Sequence, residues 1–196
     1  MTQSVLDQIP LLSMTTMSEA DFAAAFGASF QRFGFAMVRD HDMDPAVIDK
    51  GWSLARRFFA LPDAVKSRYD ALSNGGQRGY TAFGREIAKG AMENDLKEFW
   101  HVGRDLPAGD PLGNTMPPNV WPEELPEFQP VLTRLFAQFD HVGARLLSAI
   151  AIWGWTRTGS TTPSTRATPS FACSIILPSL PRPPASARAR MRTSIS

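Results

Sequence analysis

The chain has 196 residues, with 20 Lys and Arg against 19 Asp and Glu, a net charge of +1 and 43% hydrophobic residues. That length is the usual size of one domain. The single cysteine, Cys173, excludes a disulfide framework and a thiolate metal site. The opening Met1 to Pro10 has no basic leader region, and no run of about 18 uncharged apolar residues occurs. A cytoplasmic location without a membrane partner is therefore expected.

Ile9-Pro10-Leu11-Leu12 suits an opening or edge strand, because Pro cannot donate to a ladder. Ser18, with Asp21 three residues on, forms the start of a helix in which Phe22, Phe26, Phe30 and Phe33 recur at helical spacing until Gly34. Phe35-Ala36-Met37-Val38 predicts a short buried strand. Asp44-Pro45 opens a second helix, whose apolar face is Val47, Ile48, Leu54, Ala55, Phe58 and Phe59, and Leu61-Pro62 ends it. A short helix restarts between Pro62 and Tyr69. Asn74 to Tyr80 is glycine-rich but lacks the Gly-Lys-Ser/Thr ending of a phosphate loop, so it reads as a plain loop. Asp95 to Val102 alternates like a strand with aromatic faces, and Asn119-Val120-Trp121-Pro122 is a loop. The longest helical pattern runs from Phe128 to Ile152, with Val131, Leu135, Phe139, Val142, Leu146 and Ile150 as its stripe.

After Trp153 the composition changes. Residues 154–196 contain no Asp, Glu or Lys, but six Arg, six Pro and fifteen Ser or Thr. The preceding residues carry 14 basic against 19 acidic side chains and have no nucleic-acid footprint. Such a tail fits disorder. Asp and Glu both need codons beginning GA, so their joint loss with an Arg, Pro and Ser bias is also what a GC-rich gene yields in the wrong frame.

Several segments in order resemble the N-terminal region of the isopenicillin N synthase-like iron(II)/2-oxoglutarate dioxygenases. They are Ile9-Pro10-Leu11, Phe33-Gly34-Phe35, Ala55 to Pro62, Gly79-Tyr80-x-x-Phe83-Gly84-Arg85-Glu86 and Asp95 to His101. The resemblance implies an α+β fold: residues 1–152 are the mixed helix/strand region that wraps a double-stranded β-helix, or jelly roll. Residues 153–196 replace the β-helix core with a disordered, frame-shifted tail. It also implies that the parent enzyme couples 2-oxoglutarate decarboxylation to oxidation of a small-molecule substrate, with the ethylene-forming type among its relatives. Arg78, Tyr80, Phe83 and Arg85 would approach that substrate, with packing of Tyr80 and Phe83 and a surface bridge from Arg85 to Glu86 or Glu98 as the alternative. Nothing in the pattern sets an oligomeric state.

The family's Fe(II) is held by two His and a carboxylate, and an Arg clamps the 2-oxoglutarate carboxylate. This chain contains only His41, His101 and His141. In turn they read as a turn or surface residue, a packed strand residue and a solvated helix residue. No triad can be assembled from them, so neither iron nor 2-oxoglutarate is expected to bind this chain, and it has no catalytic residues of its own. Read one base upstream, however, the codons of Ile152 to Pro163 permit Leu-Gly-Leu-Asp-Glu-Asp-Trp-Phe-Asp-Asp-Thr. In the same frame, those of Ala187 to Ser196 permit Arg-Ala-Gly-Ala-His-Glu-Asp-Ile-Asn-Leu, with the family's His-x-Asp iron-binding pair.

Two other readings remain. In one, the tail's six Arg contact nucleic acid or anionic surfaces, although only Trp155 and Phe171 there could stack on bases. In the other, Arg85-Glu86 and Asp95-Lys97-Glu98 form an acid/base cluster, against which such alternation is the mark of a solvated face. Without a β-helix, the last helix and the Phe99-Trp100 strand should expose apolar surface.

Overall fold

The computed structural model describes residues 9–70, 77–85, 97–114, 116–158 and 175–178. These fall into two compact units, one drawn from Met1–Pro45 and Ala137–Cys173, the other from Ala46–Phe136 and Ser174–Ser196.

In the first unit, β1 (Leu11–Ser13) leads to α1 (Glu19–Phe33) and β2 (Met37–Arg39). Helix α1 starts and stops where its local chemistry dictates. The Ser18 hydroxyl oxygen accepts from the Asp21 backbone N–H at 3.1 Å, satisfying one orphan donor of the first turn. At the other end Gly34 adopts φ +81°, a left-handed cap that costs a glycine little. Strands β1 and β2 pair in parallel, Leu11 opposite Met37 and Leu12 opposite Val38. The alternation of a strand then sorts the side chains. Leu12 is buried with Phe22, Ala23, Phe26 and Ala149, and Val38 packs against this cluster. Phe35 and Met37 are exposed with Leu11, and Ala36 and Val38 are half-buried, so the strand expected to be buried at 35–38 is only partly covered, on one face. The core is completed by the later turns of α4 (Phe128–Thr158), which supply Leu146, Ala149, Ile152 and Trp153. Helix α4 thus continues past the compositional break.

The second unit is built on α2 (Pro45–Phe59), α3 (Asp63–Lys66) with a following 3-10 turn, and the opening turns of α4. Its sheet is antiparallel and ordered β3 (Gly79–Thr81), β4 (Phe99–Val102), β5 (Ile175–Pro178). Trp100 lies opposite Tyr80 on one side and Leu177 on the other. Phe58 is the hub of the aromatic core. Its ring centroid lies 4.6 Å from Trp100, 5.7 Å from Tyr80 and 5.8 Å from Phe128. Phe58, Trp100, Phe128, Leu54 and Leu132 are completely buried.

Three expectations are corrected here. Gly79 and Tyr80 belong to a strand rather than a plain loop, while residues 71–76 of that segment lie outside the described residues. Phe99 and Trp100 are buried, because β3 and β5 flank β4 and the Phe58 cluster covers it. On α4, Phe128, Leu132, Phe136 and Ala149 are buried together with Leu135 and Val142, whereas Phe139 and Ile150 are exposed. The apolar residues of α4 occupy more than one side, so periodicity alone does not select the covered stripe. Ile175–Pro178 forms a strand within the expected tail; residues 159–174 and 179–196 lie outside the described residues. No described helix is long and apolar enough to cross a membrane.

Candidate functional site

The segment singled out for substrate contact sits on and after β3 in the second unit. Gly79 has φ +85°, and a Cβ there would lie 2.7 Å from the Tyr69 carbonyl oxygen, so the chain can pass only as glycine. Arg78, just before it, is buried, and its Nη1 donates to the Gln77 carbonyl at 2.7 Å. Its guanidinium lies where a side chain on Gly103 would stand. Desolvation lowers the Arg78 pKa from its ordinary value, and the neighbouring Asp105 carboxylate opposes that shift. Asn119 holds this turn by donating to the Gly103 carbonyl (2.8 Å) and to Asp105 Oδ1 (2.7 Å), while accepting from the Gly103 N–H (2.9 Å).

Tyr80 is buried, with its ring against Phe58 and its hydroxyl donating to Glu98 Oε2 at 2.5 Å. Phe83 is half-buried and Arg85 exposed. Arg85 pairs with Asp70 at 3.1 Å; Glu86 lies outside the described residues and Glu98 is engaged elsewhere. The two halves of the acid/base cluster considered from sequence are therefore not joined by that bridge. Asp95 lies outside the described residues.

Sequence reasoning missed the charged centre of this unit. Lys66 is completely buried, its Nζ 2.7 Å from Glu98 Oε2 and 3.1 Å from Asp63, with the Phe59 carbonyl at 3.4 Å. Glu98 is 1% exposed. Lys66 and Tyr80 thus converge on one carboxylate oxygen. A lysine in a four-residue helix after Leu61-Pro62 carries no signal of burial, because Lys is almost always exposed.

The three histidines do not fit an iron centre. His41 Nδ1 accepts from the Met43 N–H at 3.2 Å, in a turn where Asp40 and Asp42 have φ of 56° and 60°. His101 lies in β4, its ring 4.8 Å from Phe99. His141 is exposed on α4. Among the described residues no three His, Cys, Asp or Glu are grouped to hold a metal. Arg78, the only buried arginine among them, is engaged with its own turn. Among the described residues the three histidines are thus dispersed, and the iron donor set is not assembled there.

Residues 9–124 match the family model described as non-haem dioxygenase in morphine synthesis N-terminal. The chain is 29% identical over 137 residues to the 2-oxoglutarate-dependent dioxygenase caaD of Aspergillus niger, covering 69% of this chain and 42% of that protein. It is 37% identical over 100 residues to citB of Monascus ruber, also a 2-oxoglutarate-dependent dioxygenase, covering 48% of this chain and 30% of that protein. Among solved structures, a 2OG-Fe(II) oxygenase family protein from Caulobacter crescentus is 45% identical with a TM-score of 0.66, covering 74% of this chain and 48% of that one. A full-length Neurospora crassa protein solved in complex with alpha-KG is 25% identical with a TM-score of 0.60, covering 74% of this chain and 47% of that one. The chain spans less than half the length of each of these relatives. With its mixed helix/strand architecture and ordered motifs, the chain belongs to the 2-oxoglutarate-dependent non-haem iron dioxygenase family, of which it carries the N-terminal region.

Proposed function

We propose that this chain is the N-terminal region of an iron(II)/2-oxoglutarate-dependent oxygenase whose reading frame changes near Ala151 or Ile152, and that the 196-residue product is catalytically inactive. The observation that carries this reading is the coincidence of two boundaries. The last family-like helix pattern ends at Ile152, and the Arg, Pro, Ser and Thr bias begins at Gly154, with no acid after Asp140. The family match, which ends at residue 124, lies wholly before both. The dispersal of His41, His101 and His141 supports the loss of activity. In the parent, 2-oxoglutarate would be decarboxylated to succinate as a small-molecule substrate is oxidised, in the cytoplasm. Of the four residues that the resemblance brings near the substrate, Phe83 and Arg85, in the turn after β3, would face it, while Tyr80 in β3 and Arg78 just before it would hold the strand.

Resequencing the DNA around codons 150–165 tests the frame; a clean read with no acid-rich alternative frame refutes it. Anaerobic Fe(II) titration of the 196-residue chain tests the inactivity. The expected result is no stoichiometric binding, and tight one-to-one binding overturns the proposal. The frame-restored protein should convert 2-oxoglutarate to succinate. The finer ethylene-forming assignment rests on the resemblance and predicts ethylene in the headspace of that reaction; succinate without ethylene removes it.

A further inference from the structure

The first unit contains a cavity of about 260 Å³ that has no part in the chemistry above. The β1–α1 connection contributes Met14 and Met17, the start of α1 contributes Glu19 and Phe22, and α4 contributes Arg145, Ser148 and Ile152. The volume lies just below the range of ordinary ligand pockets, which selects a small ligand. At ~30 Å³ for each water-sized volume it accommodates about nine heavy atoms. Its apolar wall is flexible where methionine forms it, and Phe22 gives it a buried aromatic floor.

Arg145 is held in place before any ligand arrives. One Nη donates to Asp42 Oδ2 at 3.1 Å and the other to the Met14 carbonyl at 2.8 Å. A guanidinium has five N–H donors, so three are uncommitted among the described residues. Two structural bonds therefore fix the orientation of a cation that still has donors for a carboxylate, and a fixed binding group loses little entropy on binding. The Glu19 side chain, on the same cavity, is exposed and has no hydrogen bond or ion pair among the described residues. One cavity thus presents a cation, an anion and an apolar wall.

We propose that this cavity binds a small apolar α-amino acid as its zwitterion. The ligand carboxylate would meet Arg145, its ammonium Glu19, and its side chain Met14, Met17, Phe22 and Ile152. A simple carboxylic acid would leave Glu19 opposing it, and a simple amine would be opposed by Arg145. Leucine, with nine heavy atoms, matches the volume. This binding requires neither iron nor 2-oxoglutarate, so it stands or falls separately from the oxygenase assignment.

The test is titration of the ¹⁵N-labelled full chain with L-leucine, followed by amide chemical shifts. Saturable shifts confined to residues 14–22 and 142–152 are expected, with a Kd on the order of 1 mM for so small a ligand. 4-Methylpentanoate, which lacks the ammonium, and isoamylamine, which lacks the carboxylate, should each bind at least about threefold more weakly, the scale of an exposed ion pair. Glu19→Gln lies on an exposed helix start and leaves the fold intact; it should weaken leucine about threefold and leave 4-methylpentanoate no weaker than before. Ala149→Leu, which fills the cavity, should abolish the shifts. No saturable shift with leucine up to ~20 mM, equal binding of the three ligands, or an unchanged Kd in Glu19→Gln would overturn the proposal.

Discussion

Glu98→Leu probes the charged centre of the second unit. In the native chain the Lys66 ammonium and the Glu98 carboxylate are 2.7 Å apart, with 0% and 1% side-chain exposure. Removing the carboxylate strands a buried cation, and breaking a buried pair in this way costs about 3–5 kcal/mol. Asp63 remains 3.1 Å from Nζ but is 70% exposed, so it offsets part of the loss and places the expected cost near 3 kcal/mol. For a chain of this length, that lowers Tm by roughly 6–12 °C. Replacing both partners, Lys66→Met with Glu98→Leu, removes the stranded charge and should cost less than Glu98→Leu alone. Urea unfolding followed by tryptophan fluorescence measures Glu98→Leu, Lys66→Met and the double variant. A Glu98→Leu loss below ~1 kcal/mol, or a double variant equal to the sum of its singles, would refute the argument.

Two glycines in helices should respond in opposite directions to alanine. A Cβ at Gly27 would fall inside the indole of Trp153, so Gly27→Ala should destabilise by ~1–3 kcal/mol, whereas Gly143 has nothing within 4 Å and Gly143→Ala should stabilise by about 0.5–1 kcal/mol. Denaturant midpoints distinguish the two, and matching signs would contradict the packing assigned to Trp153. Hydrogen bonding from Lys50 and then Arg57 lowers the pKa of Glu127, so its contribution to stability is present above the ordinary carboxylate value and is lost as pH falls through the lower folded value. NMR titration should show the Glu127 midpoint rising in Lys50→Met; an unchanged midpoint removes that cause. Gly79→Ala, which meets both a left-handed backbone and the Tyr69 carbonyl, should cost ~1–3 kcal/mol in the same unfolding assay.

The exposed large apolar side chains are unevenly distributed. Among the described residues, Leu11, Phe30, Phe35, Met37, Phe139 and Ile150 belong to the first unit and Trp52 alone to the second. Leu11 and Met37 are opposite each other in the β1–β2 ladder, with Phe35 two residues before Met37. A parallel pair of strands ordinarily has both faces covered. Of the two places where apolar exposure is expected, α4 shows it at Phe139 and Ile150 and the Phe99-Trp100 strand is covered, while β1 and β2 expose Leu11 and Met37 outside that expectation.

Features governed by neighbouring residues were legible in the sequence. Ser18, Gly34 and Pro45 mark the ends of α1 and the start of α2, because caps and proline act within one helical turn. The family was legible because short motifs kept their order across residues 9–101, and the compositional break because codons constrain residues whatever the fold. The parallel pairing of β1 with β2, the covered side of α4, the burial of Lys66 on Glu98 and the cavity between Glu19 and Arg145 were decided only by tertiary structure. Each depends on residues more than 20 positions apart, whose meeting no local period or propensity encodes. An apolar residue can be assigned to a helix from its spacing, but which of its sides is covered, and which charge finds a partner there, is set by what the rest of the chain brings against it.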